Sequence, residues 1–212
     1  MEQYYTSAIL IFTSFFTLIN PLGTMPIFMS MTSTLNDQRR KQTAKKASIV
    51  AFFTIIAFAF SGQVLFKFFG ISVNSFRIVG GVIFFAMGWD MLQARLGKIK
   101  FDSEEKIDAY VEDISITPLA IPMISGPGAI TNSIILMEAA DTVVKKIILV
   151  AVIAFVLLLT YLILMGSSKI TEKLGETGNK VMMRLMGLIV MVIAVEFFFS
   201  GLKPIILDMI NG

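Results

Sequence analysis

Apolar residues in this chain form long runs separated by short polar and charged stretches. No charged residue occurs from Tyr4 to Asn36, or again from Ile114 to Met137. A helix that crosses the hydrocarbon core of a bilayer needs about 20 consecutive, mostly apolar residues. The apolar windows therefore predict six membrane-spanning helices, near residues 5–34, 47–68, 75–95, 115–138, 147–166 and 183–203, followed by a short amphipathic tail.

Composition agrees with a membrane protein made only of helices. Of the 212 residues, 56% are hydrophobic and 16% are charged, and the mean hydropathy is +0.80. The six spans account for nearly the whole chain, so we expect a single membrane domain over residues 1–212. The first residues, Met1 to Tyr5, lack a basic leader and a small-residue cleavage site, which predicts that the first apolar segment is retained as a span.

Several classes of function are disfavoured by the residues that the chain lacks. Cys and His are both absent, which removes thiol nucleophiles, imidazole bases and the usual zinc ligands. We therefore expect no enzyme, no metal and no cofactor. The net charge of +3 comes from basic residues spread over several loops, so nucleic-acid binding is not expected either.

The distribution of basic residues predicts the orientation in the membrane. Thirteen of the 18 Lys and Arg follow the first, third and fifth spans. They are Arg39, Arg40, Lys41, Lys45, Lys46, Arg95, Lys98, Lys100, Lys106, Lys169, Lys173, Lys180 and Arg184. Since basic loops favour the cytoplasm, both termini are expected on the outer, periplasmic side of a plasma membrane. Within the loop Leu96–Thr117, Ser103–Tyr110 could form a surface helix, although a solvated connector is the simpler interpretation.

Two short segments interrupt the first and fourth predicted spans. They read Asn20-Pro21-Leu22-Gly23-Thr24-Met25-Pro26 and Ser125-Gly126-Pro127-Gly128-Ala129-Ile130-Thr131. Proline removes a backbone donor, and glycine destabilises a helix by roughly 1 kcal/mol relative to alanine, so both seven-residue segments are expected to unwind. Unpaired backbone groups cannot face lipid and must be buried in protein or line a cavity.

The order of these features repeats along the chain. A shift of 105 residues aligns Ile19–Gly23 with Ile124–Gly128, and a shift of 107 aligns Arg77–Gly80 with Arg184–Gly187. The Lys45-Lys46 pair corresponds to Lys145-Lys146 at a shift of 100. An odd number of spans per unit inverts the second copy, so the pattern predicts two inverted-topology three-helix repeats with broken first and fourth helices. Repeat one covers about 1–96, the cytoplasmic loop about 97–114, and repeat two about 115–212.

The paired interruptions are the candidate binding site. Helices that restart after Pro21 and at Pro127 would direct positive dipole ends toward a carboxylate, and the preceding helix ends would offer carbonyls to an ammonium group or a cation. A small neutral zwitterion would fit between them. The alternative is that glycine merely allows kinked helices to pack closely. The candidate substrate-binding residues are Asn20, Pro21, Gly23, Thr24, Ser125, Gly126, Gly128, Ala129 and Thr131.

The two interruptions, together with Arg77-Ile78-Val79-Gly80-Gly81, resemble the signatures of the MarC family, six-span inner-membrane proteins that include the SnatA-type neutral amino acid transporters. The resemblance covers almost the whole chain. It implies transport of small neutral amino acids such as glycine or alanine, coupled to an ion gradient, in the plasma membrane of a bacterium or archaeon.

Four charged residues within the spans have open roles. Arg77 and Arg184 begin the third and sixth spans and are either helix-end anchors or members of gating ion pairs. Asp90 and Glu196 follow them by 13 and 12 residues, and are candidates for proton coupling unless they reach the interface. Three Phe-rich runs, Phe52-Phe53, Phe84-Phe85 and Phe197–Phe199, are interpreted as lipid-facing or packing residues.

Two hypotheses follow. The first is a secondary transporter of small neutral amino acids that alternates around the paired interruptions, driven by a proton or a sodium ion. The second is a small-solute or ion channel in which the interruptions form a fixed filter, although the sequence contains no visible ring of charges or carbonyl-rich filter motif. The sequence does not predict an oligomeric state.

Overall fold

The structure, a computed structural model, describes the backbone of residues 2–93 and 104–211, and in these residues it contains helices and no strand. The helices are α1 (Glu2–Ile19), α2 (Pro21–Met31), α3 (Asp37–Phe69), α4 (Val73–Leu92), α5 (Glu104–Ile114), α6 (Pro127–Ala139) and α7 (Val143–Asn211). A π-helical stretch, Ser115–Ile124, joins α5 to the residues before α6 and is called the π-segment. The prediction of an all-helical protein is confirmed.

Five helical segments of the described chain are long and apolar enough to cross a membrane, and a sixth is formed if a bent pair counts as one span. Helices α1 and α2 together make the first of them, Tyr4–Met31. The bent pair joins Lys106–Ile124 to Pro127–Ala139 at 59°. Helix α7 is divided at Gly175, whose φ of 65° and ψ of −175° suit glycine alone. The spans on either side, Val143–Ser167 and Lys180–Ile210, are called α7a and α7b.

Helix α3 begins ten residues before the predicted span. Asn36 is its N-cap, and Asn36 Oδ1 accepts the N–H of Arg39 at 2.9 Å. The helix has 33 residues and is therefore about 50 Å long, against about 30 Å for a hydrocarbon core. Its basic first turns consequently extend beyond the apolar part of the span.

Helices α4 and α7b pack closely because glycine lines their contact. A Cβ atom on Gly81 would lie 2.8 Å from the carbonyl oxygen of Ala194, and one on Gly187 would lie 2.8 Å from that of Gly88. Side chains at these positions would hold the backbones apart, as in other membrane helix pairs with small residues at the interface. The glycines therefore determine the distance between α4 and α7b.

The two broken segments lie side by side. Helix α1 packs on α6, where Asn132 Nδ2 donates to Ser14 Oγ at 3.0 Å, and α2 packs on the π-segment. The part before each break thus neighbours the part after the other break, so the segments run in opposite directions. Phe15, Ile19, Leu119 and Ile124 from these segments are fully buried in the main core.

The expectation of a solvated connector is wrong for residues 104–114, which form helix α5. Ile107, Val111 and Ile114 repeat at helical spacing, and the last two pack with Leu35 in a small buried cluster. Tyr110 donates a hydrogen bond from its hydroxyl to the carbonyl oxygen of Met31 at 3.0 Å. Two ion pairs join α5 to α3: Arg39–Asp108 and Lys46–Glu112. The predicted loop residues Arg95, Lys98, Lys100 and Ser103 lie outside the described residues.

Candidate functional site

The first break occupies a single residue. Asn20 has φ 45° and ψ 65°, the left-handed conformation that asparagine tolerates better than most side chains. Its Oδ1 accepts the N–H of Gly23 at 3.1 Å, and Pro21 follows at the first position of α2, where its missing donor is no loss. A Cβ atom on Gly23 would lie 2.4 Å from Asn20 Nδ2, so this cap requires glycine at position 23.

The expectation that all seven residues of the first interruption unwind is wrong. Pro21 to Pro26 are helical, because Asn20 replaces the bonds that the break removes. Besides the side-chain bond to Gly23, the carbonyl oxygen of Asn20 accepts the N–H of Thr24 at 3.0 Å. The amides of Gly23 and Thr24, expected to face a ligand carboxylate, are therefore already bonded.

The second break is longer. Thr117 and Ile121 have extended backbones within the π-segment, and each precedes a cis proline bond. Ser125 donates from both its N–H and its hydroxyl to the carbonyl oxygen of Ala120, at 2.8 and 2.7 Å. Gly126 is the extended N-cap of α6, and Pro127 occupies its first position. The expectation that all seven residues of the second interruption unwind is therefore wrong from Pro127 to Thr131, which are helical because proline at the first position of a helix loses no hydrogen bond. No side chain caps α6, so its positive end is left without a side-chain acceptor.

A cavity of about 40 Å³ lies at the first break, with room for a water molecule or two. Residues of α1, α2, α4, α7b and the π-segment line it: Leu18, Ile19, Asn20, Gly23, Thr24, Ile27, Phe84, Met87, Met123, Val190 and Ile193. None of them is charged. Solutes with a net charge would lose hydration there without an opposite charge as partner.

Asn20 and Thr24 supply the polar side-chain groups of this cavity. Asn20 Oδ1 is bonded to Gly23, while Asn20 Nδ2 has no hydrogen-bond partner in the described part of the chain. Thr24 Oγ1 donates to the carbonyl oxygen of Asn20 at 3.2 Å, which leaves its lone pairs as acceptors. The cavity therefore offers an amide donor and a hydroxyl acceptor against apolar walls.

Of the nine predicted substrate-binding residues, Asn20, Gly23 and Thr24 line the cavity. The other six are buried nearby without lining it: Pro21, Ser125, Gly126, Gly128, Ala129 and Thr131. Three of the nine thus lie at one cavity, and the substrate-binding role of all nine stays a prediction.

The second break lies one layer of side chains away from the cavity. A Cβ atom on Gly126 would lie 2.4 Å from Phe84 Cζ, and one on Gly128 would lie 3.0 Å from Leu18 Cδ2. Phe84 and Leu18 both line the cavity. Movement of these two side chains would join the second break to the space at the first.

Thr131 contributes a buried hydroxyl next to the second break. The residue is 2% exposed, and its Oγ1 has no hydrogen-bond partner. Burying an unpaired hydroxyl opposes folding by about 1–3 kcal/mol. A polar group at this position is therefore available to a solute or a water molecule that reaches it.

None of the four charged candidates lines the cavity. Asp90, Arg184 and Glu196 are exposed on the outer faces of α4 and α7b, and Arg77 is half-buried. Within the described residues none of the four makes an ion pair. Their proposed parts in gating and proton coupling stay predictions.

Sequence reasoning missed most of the apolar wall. Phe84, interpreted as lipid-facing or packing, lines the cavity beside Met87, Met123, Val190 and Ile193. The available signal was helical spacing: Phe84 and Met87 lie on the same face of α4 as Gly80 and Gly88, the face that packs on the rest of the bundle. Nothing in the sequence distinguishes Met123 from its apolar neighbours.

The fold and site define a polytopic helical membrane protein with a small uncharged cavity at a broken span. The model of the family described as "MarC family integral membrane protein" matches residues 5–206, and the chain belongs to this family.

Several relatives are similar over nearly their full length. A UPF0056 membrane protein of Pyrococcus horikoshii is 41% identical over 205 residues, 96% of this chain and 98% of the relative. The UPF0056 membrane protein YvbG of Bacillus subtilis is 37% identical over 91% of this chain and 92% of its own. YhcE of Escherichia coli is 32% identical over 94% of each. No solved structure matches the chain.

Proposed function

We propose that this protein is a secondary transporter of small neutral amino acids such as glycine or alanine. The observation that carries the proposal is the uncharged cavity at the break between α1 and α2, with Asn20 and Thr24 as its polar side chains. A neutral zwitterion needs hydrogen-bonding partners and helix ends rather than a fixed counter-charge. We expect the protein to act in the plasma membrane of a prokaryote.

Transport requires this cavity to widen. Its volume of about 40 Å³ suits water, whereas even glycine has five non-hydrogen atoms. Met87, Met123 and Phe84 close it, and methionine side chains change rotamer readily. We therefore interpret the described conformation as one with a narrow cavity, within a cycle in which the cavity widens and opens alternately to either side.

The proposal includes an inverted repeat, which two features support at one common shift. Pro127 follows Pro21 by 106 residues, and each begins the helix after a break. Gly187 and Ala194 follow Gly81 and Gly88 by the same 106 residues. The shift of 106 pairs Asn20 with Gly126, whereas the shift of 105 used in the sequence comparison pairs it with Ser125.

The contacts between α4 and α7b support the same symmetry. Gly81 approaches the carbonyl oxygen of Ala194, and Gly187 approaches the carbonyl oxygen of Gly88. The shift of 106 residues relates Gly81 to Gly187 and Gly88 to Ala194, so each contact is the counterpart of the other. Each approach measures 2.8 Å from the added Cβ. Reciprocal contacts of this kind are expected where two units are related by a pseudo-two-fold axis in the membrane plane.

Transport can be tested with purified protein in liposomes loaded with glycine or alanine. We expect saturable counterflow of labelled substrate. Thr24→Val should raise the substrate concentration for half-maximal exchange about fivefold or more, because it removes one hydrogen-bonding group worth about 1 kcal/mol. Thr13→Val is the matched control, since Thr13 also donates to the carbonyl oxygen four residues before it but is exposed.

Two results would contradict the proposal. Folded protein that exchanges none of the small neutral amino acids would refute the substrate class. Ionic conductance that does not saturate would instead support a channel with a fixed filter.

The second break can be tested separately. Gly128→Leu would place a side chain against Phe197 and Leu18, and we expect loss of exchange. Gly166→Leu is the control, because an added Cβ at Gly166 has no neighbour within 4 Å. Full activity of Gly128→Leu would exclude the second break from the transport cycle.

We propose that a proton or sodium gradient drives uptake or export, with Asp90 and Glu196 as the candidate coupling groups. Asp90→Asn should retain counterflow, which needs no gradient, and lose accumulation driven by a pH gradient. Unchanged accumulation in both Asp90→Asn and Glu196→Gln would remove these carboxyls from the coupling mechanism.

A further inference from the structure

A groove between α3 and α7a, separate from the cavity at the first break, opens on the outer surface of the bundle. It encloses about 430 Å³. Its walls are largely aromatic and aliphatic, with Phe52 and Phe53 on α3 and Leu157 and Leu158 on α7a. Phe53 and Leu158 are more than half exposed, so the groove faces the membrane.

The two ends of this groove differ in polarity. Lys45, Ser48 and Tyr161 gather at one end, and Phe53 and Ala154 lie at the other. From Lys45 to Phe53 the helix rises about 12 Å, close to the ~15 Å that one leaflet contributes to the hydrocarbon core. The groove thus has the polarity and length of one half of a bilayer.

Ser48 is a polar group buried in the groove without a partner. The residue is 7% exposed, and its Oγ makes no hydrogen bond, although a helical serine can usually bond to the carbonyl four residues earlier. Rotation of this side chain toward the groove would let an ester or phosphate oxygen bound there accept a hydrogen bond from the hydroxyl.

Positive charge adjoins the polar end. Lys41 lies one helical turn before Lys45, and neither lysine makes an ion pair in the described residues. Lys41 lines a neighbouring depression with Arg40 and Asp37. Arg40 is bonded to the carbonyl oxygens of Thr32 and Ser33 and lies 3.9 Å from Asp37, so the two lysines remain available to an anion.

We propose that the α3/α7a groove binds an anionic phospholipid, with one acyl chain along Phe52, Phe53, Leu157 and Leu158 and the phosphate at Lys41 and Lys45. Lysines near a membrane surface attract anionic lipid, and basic pockets between spanning helices select such headgroups. This lipid site does not depend on the proposed transport function.

A second groove supplies an internal control. Helices α4 and α7b enclose about 220 Å³ between Val82, Phe85, Val195 and Phe199, and no polar side chain lines this space. Lipid there should be held by its acyl chain alone, without headgroup preference. Trp89, the single tryptophan, lies one turn from Phe85 and is about half exposed, so it reports on lipid at this surface.

Fluorescence quenching by brominated acyl chains compares the two grooves. The reporter for the α3/α7a groove is the Phe53→Trp, Trp89→Phe protein, and the unaltered chain reports on α4. In phosphatidylcholine vesicles, we expect brominated phosphatidylglycerol to quench the reporter at position 53 with at least about fivefold higher apparent affinity than brominated phosphatidylcholine. At Trp89 the ratio should be near one.

In the reporter protein, the additional substitutions Lys41→Gln and Lys45→Gln should bring the affinity ratio at position 53 close to one. The same two substitutions in the chain that keeps Phe53 and Trp89 should leave the quenching of Trp89 normal, which would show that the protein is folded. Equal ratios at both reporters would reveal only a bulk-charge effect and overturn the site. A preference that survives loss of both lysines would also overturn it. Absence of quenching by either lipid at position 53 would mean that a second copy of the chain covers the groove, which excludes the lipid.

Discussion

Asn20 determines where the first span breaks. The following proline prevents a continuous helix, and Asn20 then supplies both the left-handed residue and the acceptor for the Gly23 N–H. Asn20 and Pro21 together therefore account for most of the local structure of the break. The same amide also reaches the cavity, so Asn20 links local structure to the proposed binding site.

Substitution of Asn20 separates these contributions. Asn20→Gly keeps the left-handed conformation and loses the cap, and should lower stability by a few tenths of a kcal/mol. Asn20→Ala loses both and should lower stability by about 1–2 kcal/mol. The thermal unfolding midpoint in detergent should therefore fall in the order unaltered, Gly, Ala. An alanine variant as stable as the glycine variant would show that the left-handed backbone is not strained there.

Asp141, in the connection after α6, forms an exposed ion pair with Lys145 in the first turn of α7a, with Lys145 Nζ 2.9 Å from Asp141 Oδ1. The hydrogen bond from Lys145 holds the pKa of the Asp141 carboxyl below its ordinary value. A lowered carboxyl pKa contributes stability above the unfolded pKa of about 3.9, and this contribution is lost as the pH falls through the lower folded value.

Lys145→Gln should therefore raise the pKa of Asp141 toward that of a free aspartate, as measured by carboxyl carbon chemical shift. Lys146→Gln is the control, because Lys146 forms no ion pair with Asp141 within the described residues. The shift should shrink in high salt, since the pair is exposed.

At the scale of elements, glycine residues let the backbones of α4 and α7b pack closely beside the cavity. A Cβ on Gly187 would meet only backbone at first, the carbonyl oxygen of Gly88 at 2.8 Å and the nitrogen of Leu92 at 2.9 Å. Backbone atoms cannot move aside as a flexible side chain can. Gly187→Ala should therefore destabilise the protein by about 1–3 kcal/mol.

The matched change is Gly166→Ala, where the added Cβ has open space. Alanine favours a helix by roughly 1 kcal/mol over glycine, so this variant should melt at the same temperature or slightly higher. Equal melting temperatures for the two variants would contradict a close α4–α7b contact.

Helix α5 connects the two broken segments at the end where α3 carries its basic turns. It continues directly into the π-segment and reaches α2 through the Tyr110–Met31 hydrogen bond. Tyr110→Phe should increase hydrogen exchange in the last turn of α2, because one hydrogen bond contributes about 1 kcal/mol. Tyr5→Phe should not, since Tyr5 is 69% exposed near the N-terminus.

Sequence pattern predicts elements better than it predicts the contacts among them. The six apolar windows follow from the length that a bilayer imposes, and the spacing of Ile107, Val111 and Ile114 would have revealed α5 had periodicity been weighed above polarity. The predicted extent of unwinding after Asn20 was wrong, because helix propensity alone does not include the hydrogen bonds by which Asn20 caps α2. Met123 and Val190 could not be placed at the cavity, since their positions depend on tertiary packing.

At the scale of the whole molecule, the basic residues predict a cytoplasmic side that includes the start of α3, and an outer side that includes the α3–α4 and α6–α7 connections. The chain contains no cysteine, so a single introduced cysteine is a specific probe of sidedness. Gln38 and Thr142 suit this test, because both side chains are exposed and they belong to opposite predicted sides.

In intact cells, a membrane-impermeant maleimide should label Thr142→Cys and leave Gln38→Cys unlabelled until the membrane is opened. The reason is the cluster of basic residues in the first turns of α3, which opposes translocation of this end of the helix. If only Gln38→Cys were labelled in intact cells, the orientation in the membrane would be the opposite of the predicted one, with the fold unchanged. Labelling of both in intact cells would mean that the chain inserts in two orientations, as expected only if the bias were too weak to select one.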